Sequence, residues 1–243
     1  MKEKDVNLSF LLYNENSILI GWTKIINEST LKEILIYKNK LSKIKSIQNT
    51  INAYNSLLIK YKSEIKSFNE EVKNLKGLYK EKVKTQEIKM SKHWKIPVCY
   101  GKKYAPDIYL VSKKLKLSSS EIIKLHSSKK YTLYFIGFLP GFIYLGQLDS
   151  KLRIPRKQNP SKIYMAGSIG IADYQTGIYP NDSPGGWNII GNSPLTYFDP
   201  FNKAPCFANS GDTIEFYSIN EKEYNQTKHL SNNNLNFIKE LND

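Results

Sequence analysis

Arginine is almost missing from this sequence. Of 36 lysines and arginines only Arg153 and Arg156 are arginine, which leaves 34 lysines and a net charge of +14. Base readout and two-point phosphate recognition draw on the planar guanidinium fork, which an ammonium does not imitate. The lysines are interleaved with glutamate, as in "KSEIKSFNEEVKNLKGLYKEKVK", and gather into no single stripe. The charge therefore reads as a solvated surface and not as a nucleic-acid face. Cysteine is scarce as well: Cys99 and Cys206 have no metal-ligand spacing and are too few for a disulfide framework. No apolar run approaches the roughly 20 residues of a membrane span, and "MKEKDVNLSF" lacks the apolar block of a signal peptide. The expectation is a reduced, cytoplasmic protein away from the membrane. Two chemistries have no motif either. There is no G-x-x-x-x-G-K-[ST] loop or kinase signature, and no "MKM" site for biotin.

What is present suffices for a core: 40% hydrophobic residues over 243 positions, enough for one large domain or two small ones. Residues 1–92 read as a small α+β domain. "NLSFLLYNENSILIGW" has the layout of a hairpin around Asn14–Asn16. In "ESTLKEILIYKNKLSKI" residues Leu31, Ile34, Leu35, Lys38 and Leu41 share one helical side, with Ser29 or Thr30 as N-cap. "SIQNTINAYNSLLIKYK" suggests two short strands around Asn52–Asn55. Ile65, Phe68, Val72, Leu75, Leu78 and Tyr79 then recur at helical steps, with Ser63 as a cap. "KTQEIKM" closes the domain as a strand, and the order β-β-α-β-β-α-β suggests a ferredoxin-like sandwich with one extra strand.

Residues 93–243 differ in character. A strand, "HWKIPVCYG", precedes two short helices, "APDIYLVSKKL" and "SSSEIIKLHSS", the second capped by Ser118 or Ser119 with Glu121 in its first turn. Short β-rich runs follow: "YTLYFIGF", "IYMAGSIGIA", "WNIIG", "LTYF" and "DTIEFYSI", separated by Gly, Pro, Asn and Asp. No long helix is expected before the tail, "LNFIKELND", which reads as one helical turn. This pattern predicts a closed β-barrel. The overall class is α+β. Within it, "GFLPGFIYLGQL" interrupts an apolar run with three glycines and a proline, the mark of a sharp turn or a close backbone approach.

The set "GFLPGFIYLGQL", "LRIPRKQNP", "AGSIGIADYQTGIYP", "SPGGWNIIG" and "SGDTIEFYSI" resembles the allophanate hydrolase subunit 1 family, which includes 5-oxoprolinase B subunits and Kip-type inhibitors of a sporulation histidine kinase. "IPVCYG", "APDI" and "LHSSKKYTLYFIGFLPGFIYL" extend the likeness, which runs from about Asn7 to Ile219. Lys102 and Ala105 stand where the family usually has glycine, Ser161 where arginine is common and Met165 where proline is common. A charge contact at position 161 is therefore lost or moved to Lys162. The resemblance implies a cyclophilin-like barrel after residue 93. It also implies two partners, a second cyclophilin-like subunit and a lactam-opening subunit. The implied reaction is ATP-driven hydrolysis of 5-oxo-L-proline to L-glutamate, with ATP as co-substrate at a shared site. A five-membered lactam resists water, and phosphorylating its oxygen would supply a better leaving group. Two alternatives share the motifs: a regulatory inhibitor that binds a sensor histidine kinase, and a subunit of a urea or allophanate amide-processing system.

The residues themselves offer candidates. His126 reads either as an acid–base near pH 7 or as a cap on its own helix. Tyr144 is a donor or a core tyrosine with a tethered hydroxyl. Gln175, Ser168 and Thr176 lie in polar gaps beside glycines, where they bind a lactam, a carboxylate or ATP, or stabilise turns. Arg153 and Arg156 are sharper, because a lysine-using chain places its two arginines within four residues; their fork serves a substrate carboxylate or phosphate, or else a structural carboxylate or a chain of backbone carbonyls. His126, Tyr144 and Gln175 form the expected catalytic set. Arg156, Ser168 and Thr176 form the expected substrate or ATP set. Phe138, Pro140, Phe142, Pro184, Gly185, Gly186 and Trp187 are the expected walls of a groove shared with the partner subunit; the alternative is that their two loops are barrel corners packed on themselves.

Overall fold

The computed structural model describes residues 8–22, 26–81, 91–231 and 234–238. The chain divides into two compact units, Met1–Met90 and Ser91–Asp243. In the first unit, strands β1 (Ser9–Asn14) and β2 (Ser17–Gly21) are followed by helix α1 (Glu28–Leu41). Strands β3 (Ile47–Asn52) and β4 (Ser56–Tyr61) and helix α2 (Phe68–Lys80) complete its described part. The four strands form one antiparallel sheet in the order β1-β2-β4-β3. Alternate residues of the two central strands, Ile18, Ile20, Leu57 and Ile59, are fully buried beside Leu31, Ile34, Tyr37 and Leu41 of α1. The expected final strand, over 84–90, lies outside the described residues.

Both helix starts differ from expectation. Asn27, not Ser29 or Thr30, caps α1 by accepting from the Thr30 N–H at 2.8 Å, and Thr30 is buried instead. Helix α2 begins under Ser67 rather than Ser63, because the Ile65 N–H bonds the Glu15 carbonyl at 2.8 Å and holds the preceding segment out of the helix. Lys40 Nζ donates to the carbonyls of Leu78 and Tyr79 at 2.9 and 3.0 Å, so α1 satisfies the open end of α2.

The second unit is a closed barrel of seven strands. They are β5 (His93–Cys99), β6 (Lys130–Ile136), β7 (Ile143–Leu145), β9 (Ser168–Ala172), β10 (Gln175–Ile178), β12 (Asn188–Asn192) and β13 (Thr213–Ile219), in the order β10-β7-β6-β13-β5-β12-β9. Strand β8 (Ser161–Tyr164) pairs with β11 (Ser183–Gly185) as a separate two-stranded ribbon. Helices α3 (Ile108–Leu115), α4 (Ser119–Ser127) and α5 (Glu221–Ser231) belong to this unit. The barrel interior holds Ile96, Val98, Leu133, Ile143, Leu145, Ile169, Ile171, Ile178, Ile190, Ile214 and Phe216. Helix α4 carries the full capping box between Ser118 and Glu121.

Two expectations need correction here, and a third holds. "LTYF" is no strand: Pro194 and Pro200 remove ladder donors on either side, and one isolated bridge, Phe198 to Cys206, is all that forms. Helix α5 precedes the tail, where no helix is expected; few of its side chains are buried, Tyr224 and Ser231 among them. Leu235 and Ile238, in the turn beyond it, are buried in the barrel unit's main core. "GFLPGF" is the β6–β7 connection. Gly141 has φ +86°, and a Cβ there would meet Phe198 Cβ at 2.4 Å, so the glycine answers both a left-handed backbone and a close approach.

Candidate functional site

Strand alternation sends one set of side chains into the barrel and the other onto its outer face. On the outer face, register aligns Phe135, Tyr144, Gly177, Gly170 and Ile189 across β6, β7, β10, β9 and β12. The two central glycines leave a trough, and Trp187 fills it. A Cβ at Gly170 would meet Trp187 Cβ at 3.0 Å; one at Gly177 would meet Trp187 Cζ3 at 3.0 Å and the Ile143 carbonyl oxygen at 2.6 Å. Phe142 and Tyr144 meet the indole edge-on at 5.5 and 5.7 Å between centroids, and Phe135 stacks on Tyr144 at 4.2 Å. Trp187 is 3% exposed and Phe142 1%, so these two members of the expected partner wall lie within the aromatic layer itself. Phe138 is 66% exposed, in the left-handed region at φ 65°; Pro140 and Pro184 are exposed, and Gly185 and Gly186 half-buried.

Arg156 is exposed, with its guanidinium carbon 5.8 Å above the Trp187 ring. No hydrogen bond or ion pair engages that guanidinium among the described residues. The backbone beneath it is tied on both sides. Asn188 Nδ2 donates to the Pro155 carbonyl at 3.0 Å, and the Lys157 N–H donates to the Gly186 carbonyl at 2.7 Å. The Tyr164 hydroxyl also donates to the Trp187 carbonyl at 2.6 Å. Burial pushes the Tyr144 phenol up, and the Arg156 charge opposes that shift. The arrangement therefore presents the five guanidinium donors, backed by an aromatic plate, to whatever anion approaches.

Of the remaining expected residues, His126 and Thr176 meet each other in the barrel interior, away from Arg156. Gln175 is half-buried at the start of β10, two residues from Gly177. Ser168 is buried, with its hydroxyl 3.4 Å from Asn192 Nδ2. Thr176 and His126 are fully buried inside the barrel, on the other side of the sheet from Arg156. The His126 ring lies 2.8 Å from the Tyr100 hydroxyl through Nδ1 and 2.9 Å from Thr176 Oγ1 through Nε2, stacked on Phe216 at 4.8 Å. Thr176 donates to the Gly170 carbonyl at 3.1 Å, so it accepts from Nε2–H, and Nδ1 accepts from Tyr100. Every polar atom of the ring is occupied by a hydroxyl, not by the helix carbonyls that the cap reading requires. Burial holds its pKa down to about 3, so the ring is neutral at pH 7.

Asp107 is the residue that sequence reasoning misses. Its carboxylate accepts from the Ile189 N–H at 2.7 Å and pairs with Lys157 Nζ at 2.6 Å, and Lys157 Nζ also lies 3.4 Å from Ser161 Oγ. Lys162 is exposed, and the cation beside Ser161 is Lys157. The "APDI" string is the available signal, whereas Lys157 is hidden among so many lysines.

Residues 8–208 match the family model of the carboxyltransferase domain, subdomains C and D. The chain belongs to that family. The conserved uncharacterized protein PH0987 from Pyrococcus horikoshii is 35% identical to this carboxyltransferase-family chain and superposes with a TM-score of 0.54, covering 89% of this chain and 100% of that one. The 5-oxoprolinase B subunit of Bacillus subtilis (strain 168) is 44% identical over 137 residues, 56% of this chain; the match spans only 57% of that relative's length. The Kluyveromyces lactis urea amidolyase, 18% identical with a TM-score of 0.74, covers 96% of this chain and 16% of its own. That likeness concerns the fold alone and accords with the closed barrel seen here.

Proposed function

We propose that this chain is the B-type subunit of an ATP-dependent 5-oxoprolinase, hydrolysing 5-oxo-L-proline to L-glutamate in a cytoplasmic complex with a second cyclophilin-like subunit and a lactam-opening subunit. The family membership and the B. subtilis relative support this reading. The observation that carries it is Arg156, an uncommitted guanidinium on a pinned backbone over Trp187. Its fork suits the substrate carboxylate or an ATP phosphate, and the aromatic face beside it suits a flat lactam ring. ATP is held jointly with the partners, since this chain has no phosphate loop of its own. The exposed Phe138, Pro140 and Pro184 rim the groove that the partner closes. His126 and Thr176 serve the barrel interior, and the catalytic groups are Tyr144, Gln175 and residues of the partners. We take the first unit as a ferredoxin-like sandwich and the second as a cyclophilin-like barrel.

The test is reconstitution. The purified chain alone turns over no ATP in response to 5-oxoproline, whereas the three-subunit complex does. Robust activity from the single chain, or none from the complex, overturns the reading.

A further inference from the structure

Arg156 owes its place to a network that begins 49 residues earlier in the chain. Asp107 sits immediately before α3, where its side chain caps nothing in the helix. It faces β12 instead. Its N–H bonds the Ile189 carbonyl at 3.0 Å, and its Oδ2 accepts from the Ile189 N–H at 2.7 Å, so one residue is gripped twice. The second carboxylate oxygen takes Lys157 Nζ at 2.6 Å, with side chains only 8% and 20% exposed. The ammonium also lies 5.3 Å from the Tyr164 ring centre, and the Tyr164 hydroxyl holds the Trp187 carbonyl. Lys157 is the residue after Arg156, and its own N–H holds Gly186, the residue before Trp187. Segment 155–157 and segment 186–189 are thereby cross-tied, with the Arg156 guanidinium and its aromatic plate between the ties.

A surface ion pair needs no such arrangement. An exposed pair contributes little and leaves its neighbours mobile. A sequestered carboxylate with one backbone bond and one ammonium is strict about geometry, because losing either partner leaves a desolvated group unsatisfied. An arginine with long rotatable bonds gains as a ligand when its base and its backing plate are held beforehand.

We propose that Asp107 is a positioning residue: through Lys157 it fixes the Arg156 guanidinium over Trp187, ready for the anion that the site receives. The consequence for turnover rests on the 5-oxoprolinase reading; the consequence for Arg156 itself does not.

The two arginines make a direct test available, since a nitrogen-15 spectrum of this chain contains just two arginine Nε–H signals. The experiment records the heteronuclear NOE of each signal in the wild-type chain and in Asp107→Asn. It also measures 5-oxoproline-dependent turnover of the reconstituted complex with Asp107→Asn, Arg156→Lys and the double variant. The expected result is selective: the Arg156 signal loosens in Asp107→Asn and the Arg153 signal keeps its wild-type value. In the complex Asp107→Asn lowers kcat/KM about tenfold, and that loss disappears in the Arg156→Lys background, as expected of two residues acting as one unit. An unchanged Arg156 signal, or equal loosening of both arginines, overturns the proposal. So does a loss that persists in full in the double variant. A wild-type complex without turnover defeats the functional reading and leaves the spectrum to decide the brace. If Asp107→Asn does not fold, Lys157→Gln removes the same tie while keeping the Asp107–Ile189 bond, and the same outcomes apply.

Discussion

His126 and Arg156 lie on opposite sides of one barrel wall, each against an aromatic ring. Inside, the imidazole is neutral and both nitrogens are engaged by hydroxyls, in a chain that ends on the Gly170 carbonyl. Outside, Trp187 packs over that same Gly170, and the guanidinium above the indole has no hydrogen-bond or ion-pair partner among the described residues. A polar group that a fold needs is satisfied by the fold, because leaving it bare inside costs about 1–3 kcal/mol. A polar group held in place and left open at the surface is available to something else. The difference separates the structural histidine from the candidate functional arginine, although both residue types are common in active sites.

The largest expected effect tests whether the outer aromatic layer is structural at all. Trp187→Ala empties the trough over Gly170 and Gly177 and should cost about 3–5 kcal/mol in chemical denaturation. An unchanged midpoint would mean that the outer layer is decoration. The inner side responds to pH. The folded state holds His126 near pKa 3, below its ordinary 6.5, so the unfolded chain binds the extra proton between those values. Stability contributed by the neutral ring is complete above pH 6.5 and falls as pH is lowered, by about 1.4 kcal/mol per unit. His126→Gln should flatten that portion of the stability profile; an equal slope in both proteins would place the titration elsewhere.

Smaller effects sharpen the outer side. Arg156→Lys keeps the charge and loses the fork, and it should lower complex turnover or partner affinity about tenfold, near 1.4 kcal/mol. Arg153, stacked 4.1 Å from the Tyr174 ring centre, is not framed by the Asp107 ties, and Arg153→Lys should do less in both assays. Lys162→Ala changes an exposed residue outside the network and should stay within about 0.5 kcal/mol in stability. An effect of Lys162→Ala as large as that of Arg156→Lys would return the site to general surface charge.

Much of this is legible in the sequence where the signal is local. The capping box of α4 needs only Ser118 and Glu121, and the barrel strands announce themselves as β-rich runs between turns. Signals that depend on tertiary partners mislead. Ser63 is a plausible cap until Glu15 claims the Ile65 N–H. Helix α5 has little apolar periodicity, yet Asn220 and Glu223 bond each other's backbone N–H in a box that could have revealed it. Arginine scarcity draws attention to position 156. The carboxylate that steadies it lies far away in sequence, and nothing about Lys157 distinguishes it from its neighbours in composition.

The parallel pairing of β5 with β13 has a consequence for synthesis. Residue 93 pairs with residue 213, and on its other flank β5 shares with β12 the single ladder pair Asn192–Cys99 among the described residues. Strand β5 therefore leaves the ribosome with its main neighbour still some 120 residues away, a delay on the order of ten seconds at ordinary elongation rates. Closing so long a loop is entropically costly and slow. During that interval the unpaired backbone edge of β5 is an invitation to mispairing, and a chain interrupted before Thr213 would hold most of the outer aromatic layer on a barrel that could never shut.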